Sequence, residues 1–175
     1  RGLRPLYVLH GDEALLAQEA ADQIRAAARA EGHAERKVYH VQGAHFNWSE
    51  VLGAALSMSL FSERQLIELR IPSGKPGKDG SEALQRYCAQ LPPDVISIVT
   101  LPRLDRTQLS SAWFTALDGV GVSVRLEPID RGALPGWIAS RLSAQQQRVE
   151  AGEAGQRTLA FFADHVEGNL LAAHQ

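Results

Sequence analysis

Apolar positions along this chain recur with two periods, one of two residues and one of about three and a half, and the two take turns. Leu6–His10 is a short apolar run closed by Gly11, which predicts a strand. Asp12 stands as the expected N-cap of a helix that runs to about Ala30 and ends at Gly32. On that helix Leu16, Ala20, Ile24 and Ala27/Ala28 mark the stripe expected to be buried, while Glu13, Glu19, Asp22, Arg25 and Arg29 lie largely elsewhere on its surface. Lys37–Val41 reads as a second strand. Asn47–Leu56 reads as a helix, with Asn47 and Glu50 at capping-box spacing. Gln65–Ile71 alternates like a third strand. The Gly/Pro-rich segment Pro72–Gly80 is expected to be a loop and the most mobile part of the chain. A helix over Glu82–Gln90 follows.

The run Val95–Leu101 is almost wholly apolar and β-branched, as expected of a strand covered on both faces of a parallel sheet. A helix over Thr107–Leu117, a turn over Gly119–Gly121 and a fifth strand over Val122–Leu126 complete the alternation. Strands and helices that alternate so regularly predict a parallel sheet with helices on both faces. From Pro128 onward only helices are predicted: Leu134–Ala144 with Pro135 in its first turn, Glu153–His165, and one starting at Asn169. Val149 is too isolated for a strand. The predicted class is α/β: a five-stranded parallel sheet with flanking helices over residues 1–127, then a small all-helical domain over residues 128–175. That is the AAA+-like arrangement.

Composition narrows the classes. The 175 residues can bury a sizeable core. At 45% hydrophobic and 22% charged, the chain has the makeup of an ordinary globular protein. A net charge of −2 leaves no strong electrostatic footprint for nucleic acid, so any contact with DNA would have to be local or indirect. A single cysteine, Cys88, excludes an internal disulfide and fits a reducing cytoplasm, where it is expected to pack on the Glu82–Gln90 helix. No apolar stretch approaches the ~18 residues of a membrane helix, so no membrane partner is expected. The first residue is Arg1 rather than Met, which points to a missing natural start.

The connector after the Asn47–Leu56 helix breaks the pattern. A link between helix and strand is normally polar, yet Ser57-Met58-Ser59-Leu60-Phe61-Ser62 presents three large apolar side chains. Spacing favours burial of Leu60 and Phe61 in the chain's own core. Their surroundings point the other way. Met58-Ser59-Leu60-Phe61, with Arg64 and the strand Leu66-Ile67-Glu68-Leu69, resembles the δ subunit of the bacterial DNA polymerase III clamp loader. Tyr7-Val8-Leu9-His10-Gly11-Asp12-Glu13, Ala112-Trp113-Phe114-Thr115-Ala116-Leu117 and Glu167-Gly168-Asn169-Leu170-Leu171-Ala172 fall in the family's order, at family-like separations.

The resemblance implies that Leu60 and Phe61 are an exposed wedge that inserts into a pocket of the β sliding clamp, with Met58 and Ser59 shaping the approach. It implies a non-catalytic subunit of the DNA polymerase III holoenzyme, a DNA-directed DNA polymerase and nucleotidyltransferase. It further implies γ/τ and δ′ partners, met mainly through a C-terminal collar domain, and primed DNA reached indirectly or within the complex. The chain stops inside a predicted helix at Ala172–Gln175, so it is expected to be the N-terminal part of such a subunit, without the collar. A cytoplasmic setting and no cofactor are expected.

An AAA+-like scaffold raises a nucleotide site as the rival reading. The first βα turn of an ATPase cradles phosphates with backbone N–H groups and a Lys. Here His10-Gly11-Asp12-Glu13-Ala14-Leu15-Leu16 offers one Gly, no Lys, no Ser or Thr for Mg²⁺, and two carboxylates that would repel ATP. The third strand ends Leu69-Arg70-Ile71-Pro72, without acids. Leu171 stands where the family's Gly-x-x-Arg sensor places its Arg. No nucleotide binding is expected. A generic scaffolding module is the other alternative, and the exposed wedge argues against it.

Remaining constellations are weaker. His10 and Asp12 sit two apart across a turn and need not face each other. His33, His40, His45, His165 and His174 show no metal spacing. Trp113 and Phe114 read as core, as do Trp137 and Ile138 of the helical part. Lys75, Lys78, Arg103 and Arg106 near a strand's C-terminal end could approach a phosphate backbone, although scattered surface charges commonly do nothing specific.

Overall fold

The computed structural model describes residues 2–43, 45–56 and 64–174. Ten elements form a first compact unit, Arg1–Leu126: β1 (Leu6–Gly11), α1 (Ala14–Ala30), β2 (Glu35–His40), α2 (Trp48–Leu56), β3 (Gln65–Arg70), α3 (Gly77–Ala89), β4 (Val95–Leu101), α4 (Arg106–Leu109), α5 (Ala112–Val120) and β5 (Val122–Leu126). The five strands make one wholly parallel sheet in the order β2-β3-β4-β1-β5. The fold is the expected AAA+-like α/β class.

The period of two sorts each strand's side chains between two cores. Leu6 and Val8 of β1, Ile67 and Leu69 of β3, and Val95, Val99 and Leu101 of β4 pack with Val51, Leu84, Trp113, Phe114 and Leu117, so α2, α3 and α5 cover one face. Leu9, Leu66, Ile96 and Ile98 meet Ala21 and Ala28 of α1 on the other. Both faces of β3 and β4 are thereby buried. On the α3 face, Tyr87 Oη and Ser97 Oγ lie 2.6 Å apart and satisfy each other out of water. Burial there pushes the Tyr87 phenol well above its usual range.

On the α1 face β3 carries a charge where the pattern asks for an apolar residue. Glu68 is only 2% exposed. Arg25 of α1 forks onto its carboxylate at 2.7 and 2.8 Å, Arg36 of β2 at 2.5 and 3.1 Å, and Arg70 approaches to 3.6 Å. Burial by itself would raise the carboxyl's pKa, but the hydrogen bonds from Arg25 and Arg36 outweigh it and hold Glu68 at about 2. This one side chain ties α1, β2 and β3 together.

Several local expectations change in the structure. Glu13, not Asp12, is the N-cap of α1, and it makes no side-chain capping bond. The fully buried positions of α1 are Leu15, Ala21 and Ala28, while Leu16, Ala20 and Ile24 are half-buried. At α2, Asn47 Oδ1 accepts from Ser49 N at 3.2 Å, but Glu50 takes the Asn47 side-chain amide at 3.1 Å, so the capping box is not reciprocal. Residues 72–80 are not one loop. Helix α3 starts at Gly77 and buries Gly80 against Trp48. The Thr107–Leu117 helix is two pieces. Ser110 ends α4, and Ser111 restarts α5 as an N-cap, accepting from Phe114 N at 3.4 Å. Helix α5 then continues through the expected turn to Val120.

The second compact unit, Glu127–Gln175, is helical: α6 (Leu134–Ala144), α7 (Glu153–Val166) and α8 (Leu170–His174). Leu134, Ile138, Ala163 and Leu170 are its buried apolar residues. Trp137 is half-buried rather than core, with the Arg141 guanidinium 4.1 Å over its ring. Phe161, Phe162 and Leu171 are about half exposed or more.

Candidate functional site

Met58, Ser59, Leu60 and Phe61 lie outside the described residues, but both flanks of their segment are placed. Helix α2 leads into it, held by Trp48, Val51 and Ala55, all buried in the core. Arg64 follows it at the N-terminal edge of the sheet. The Arg64 guanidinium donates to the carbonyl of Glu31, the C-cap residue of α1, and lies 3.9 Å from the Asp94 carboxylate. Gln65 N donates to Asp94 O at 3.0 Å, which brings the start of β3 against the loop before β4. The segment between Leu56 and Arg64 thus joins the end of a core-packed helix to an anchored strand.

The opposite, C-terminal edge holds a cleft of about 690 Å³, lined by Asp12, Arg103, Leu104, Asp105, Arg106, Gln108, Leu109 and Arg125. It lies where the chain's connections change direction across the sheet, between β4, β1 and β5, the place where open α/β sheets accept ligands. The first βα turn, beside the cleft, is closely packed. Gly11, at φ +145°, has no room for a side chain, since a Cβ would stand 1.9 Å from the carbonyl oxygen of Leu126. The turn's single glycine therefore serves the close approach of β5. Asp12 lies 3.8 Å from Arg103. Asp105 caps α4, taking a hydrogen bond from Gln108 N at 2.8 Å while the Gln108 side chain accepts from Asp105 N.

His10 and Asp12 are not brought together. The His10 ring is buried edge-on against Phe114, at 5.5 Å between centroids, whereas Asp12 is exposed. Burial, and then the positive charge of Arg125, hold His10 below its usual pKa, with Asp118 opposing. Trp113 and Phe114 are core. Lys75, Lys78, Arg103 and Arg106 are exposed. Among the described residues, no group of three or more His, Cys, Asp or Glu could hold a metal ion, and no helix is long and apolar enough to cross a membrane. Reading of the sequence missed Arg125 and Gln108 as cleft residues. Nothing in their local pattern marks them, because the crossovers of the sheet bring them there.

Among curated sequences, the chain is 34% identical over 174 residues to the DNA polymerase III subunit delta of Escherichia coli strain K12, covering 99% of this chain and 49% of that protein. It is 24% identical over 180 residues to the Haemophilus influenzae subunit of the same name, covering 100% of this chain and 50% of the relative. The chain thus spans about half the length of the curated relatives it matches. In structure it is similar to the Bacillus subtilis DNA clamp loader delta protein, YqeN, with a TM-score of 0.70 at 17% identity over 99% of this chain and 51% of that one. Domain III of the Thermotoga maritima replication initiation protein DnaA matches with a TM-score of 0.56 at 14% identity, covering 98% and 72%. Residues 7–127 match the family described as DNA polymerase III, delta subunit, and the chain belongs to that family.

Proposed function

We propose that this chain is the clamp-binding part of a clamp-loader δ subunit and that it acts by binding rather than by catalysis. Leu60 and Phe61 fill an apolar pocket on the β sliding clamp, Met58 and Ser59 shape the approach, and the strained ring opens for loading onto primed DNA. The observation that carries this reading is the family match itself, because residues 7–127 include Met58–Phe61. The anchored flanks support it. A short apolar segment held at both ends loses less conformational freedom on docking than a free peptide would.

The α/β unit carries the clamp contact, and the helical unit is lid-like. Partnership with γ/τ and δ′ falls mainly to a collar outside this chain, in a cytoplasmic setting. The subunit binds no nucleotide of its own. Its turn has no Lys, carries Asp12 and Glu13, and commits Gly11 to Leu126. Other subunits supply the energy of ATP, and polymerisation belongs to the holoenzyme.

The test is clamp binding by Leu60→Ser/Phe61→Ser, followed by surface plasmon resonance on the immobilised cognate clamp. A folded double variant that binds as tightly as the parent would overturn the reading.

A further inference from the structure

We propose that Arg64 is a positioning residue for the clamp contact: its side chain ties the C-terminal flank of the Leu60/Phe61 segment to the end of α1 and so fixes where that segment is presented. The assignment rests on the clamp-binding reading given above and deepens it.

Arg64 joins three parts of the first unit. Its guanidinium donates to the carbonyl oxygen of Glu31 at 2.5 Å. Glu31 is the C-cap of α1, where the helix turns its partial negative charge outward and a cation is favoured. The turn that ends α1 closes on itself, since the N–H groups of Glu31, Gly32 and His33 return to the carbonyls of Ala27, Ala28 and Arg29. The Glu31 carbonyl is not among those that this turn uses. Gly32 is left-handed, at φ +92°, and the atom nearest to where its Cβ would stand is Arg64 Cδ, 3.9 Å away. The arginine's stem therefore lies over the turn. From the loop before β4, Asp94 faces the guanidinium at 3.9 Å.

The segment's other supports are of a different kind. On the α2 side they are apolar: Val51 and Ala55 are buried in the core, so a change there would disturb the fold together with the segment. On the β3 side, Gln65 is 5% exposed and its Oε1 has no hydrogen-bond partner among the described residues. Gln65 is held through its backbone, by the bond from its N–H to Asp94 O. Arg64 is thus the side chain through which this flank can be loosened alone. With 52% of the side chain exposed, its truncation opens no core cavity, and an exposed pair with Asp94 adds little to stability. Order already present in the free chain need not be created on docking. Freeing about one residue's backbone before docking corresponds to roughly a tenfold loss of affinity.

The test pairs clamp binding with hydrogen exchange of the free chain. On the immobilised cognate clamp, Arg64→Ala is expected to bind roughly tenfold more weakly than the parent. In the free chain, the amides of residues 57–63 should exchange faster in Arg64→Ala, while those of β3 and the melting temperature stay unchanged. Arg29→Ala removes the same charge from an exposed position in the last turn of α1 and should change neither binding nor exchange. Weaker binding with unchanged exchange would overturn the proposal, because Arg64 would then touch the clamp itself. A lower melting temperature or faster exchange in β3 would also overturn it, by making the arginine a support of the fold. Equal losses in Arg64→Ala and Arg29→Ala would do the same, by reducing both to steering charges. Parental affinity in Arg64→Ala, beside lost affinity in Leu60→Ser/Phe61→Ser, would overturn this assignment alone. Parental affinity in Leu60→Ser/Phe61→Ser would overturn the reading beneath it.

Discussion

The indole of Trp48 occupies the space that a side chain at Gly80 would need: an added Cβ would stand 2.5 Å from Trp48 Cζ2 and 2.7 Å from Cε2. Helices α2 and α3 approach closely because residue 80 is glycine. Gly80→Ala is therefore expected to destabilise the first unit by about 1–3 kcal/mol, as overpacked cores do, despite alanine's better helix propensity. Thermal unfolding measures it. An unchanged or raised melting temperature would show that Trp48 can step aside at no cost.

Glu68 makes stability depend on acid. Its folded pKa of about 2 lies below the ordinary glutamate value of about 4.3, so its contribution is fully present above that value and is lost as pH falls towards 2. Roughly 3 kcal/mol is at stake by this linkage. Urea unfolding between pH 5 and pH 2.5 should show the decline. Glu68→Gln should flatten that part of the profile and cost about 3–5 kcal/mol at neutral pH, because it leaves Arg25 and Arg36 without their shared counterion.

The Cys88 thiol is buried, and burial pushes its pKa up to about 11. Alkylation at pH 8 should be slow in the native chain and rapid in denaturant, since the thiolate is the nucleophile. Native labelling as fast as that of free cysteine would mean that α3 opens readily.

Nucleotide is expected to be inert. A ligand at a hundred times its dissociation constant stabilises by about 2.7 kcal/mol, so calorimetry with millimolar ATP and Mg²⁺ gives a sensitive measure. No rise in melting temperature is expected.

The clamp contact proposed for Leu60 and Phe61 carries the largest predicted effect on binding. Burying a Leu or a Phe is worth about 1.5–3 kcal/mol each, so Leu60→Ser/Phe61→Ser should weaken clamp affinity by roughly two to four orders of magnitude. If the pair docks from the surface as proposed, the melting temperature should hardly move, because exposed positions rarely cost more than about 0.5 kcal/mol. Unfolding of the variant would place both residues in the core.

Much of the fold could be read from the residues because strand and helix periods are local. Leu134–Ala144, Val95–Leu101 and Val122–Leu126 have the predicted limits. What escaped depended on contacts between distant parts. The glycines and prolines of residues 72–80 signal a loop, yet Trp48, some thirty residues upstream, makes Gly80 fit a helix. Gln65–Ile71 reads as a strand, but nothing along it shows that Arg25 and Arg36 are brought over Glu68. Ser110-Ser111 could have warned of the break between α4 and α5, since serine competes for backbone bonds. The cleft is a product of strand order, which Arg103 and Arg125 do not encode locally.

The flanks of the segment that carries Leu60 and Phe61 and the arginine-lined cleft sit at opposite ends of the same strands. Six or seven residues at about 3.3 Å each put some 20 Å between those ends. Sites so far apart, with no shared partner, contribute independently to free energy. A partner docked on the segment at one end should therefore leave the cleft at the other end open.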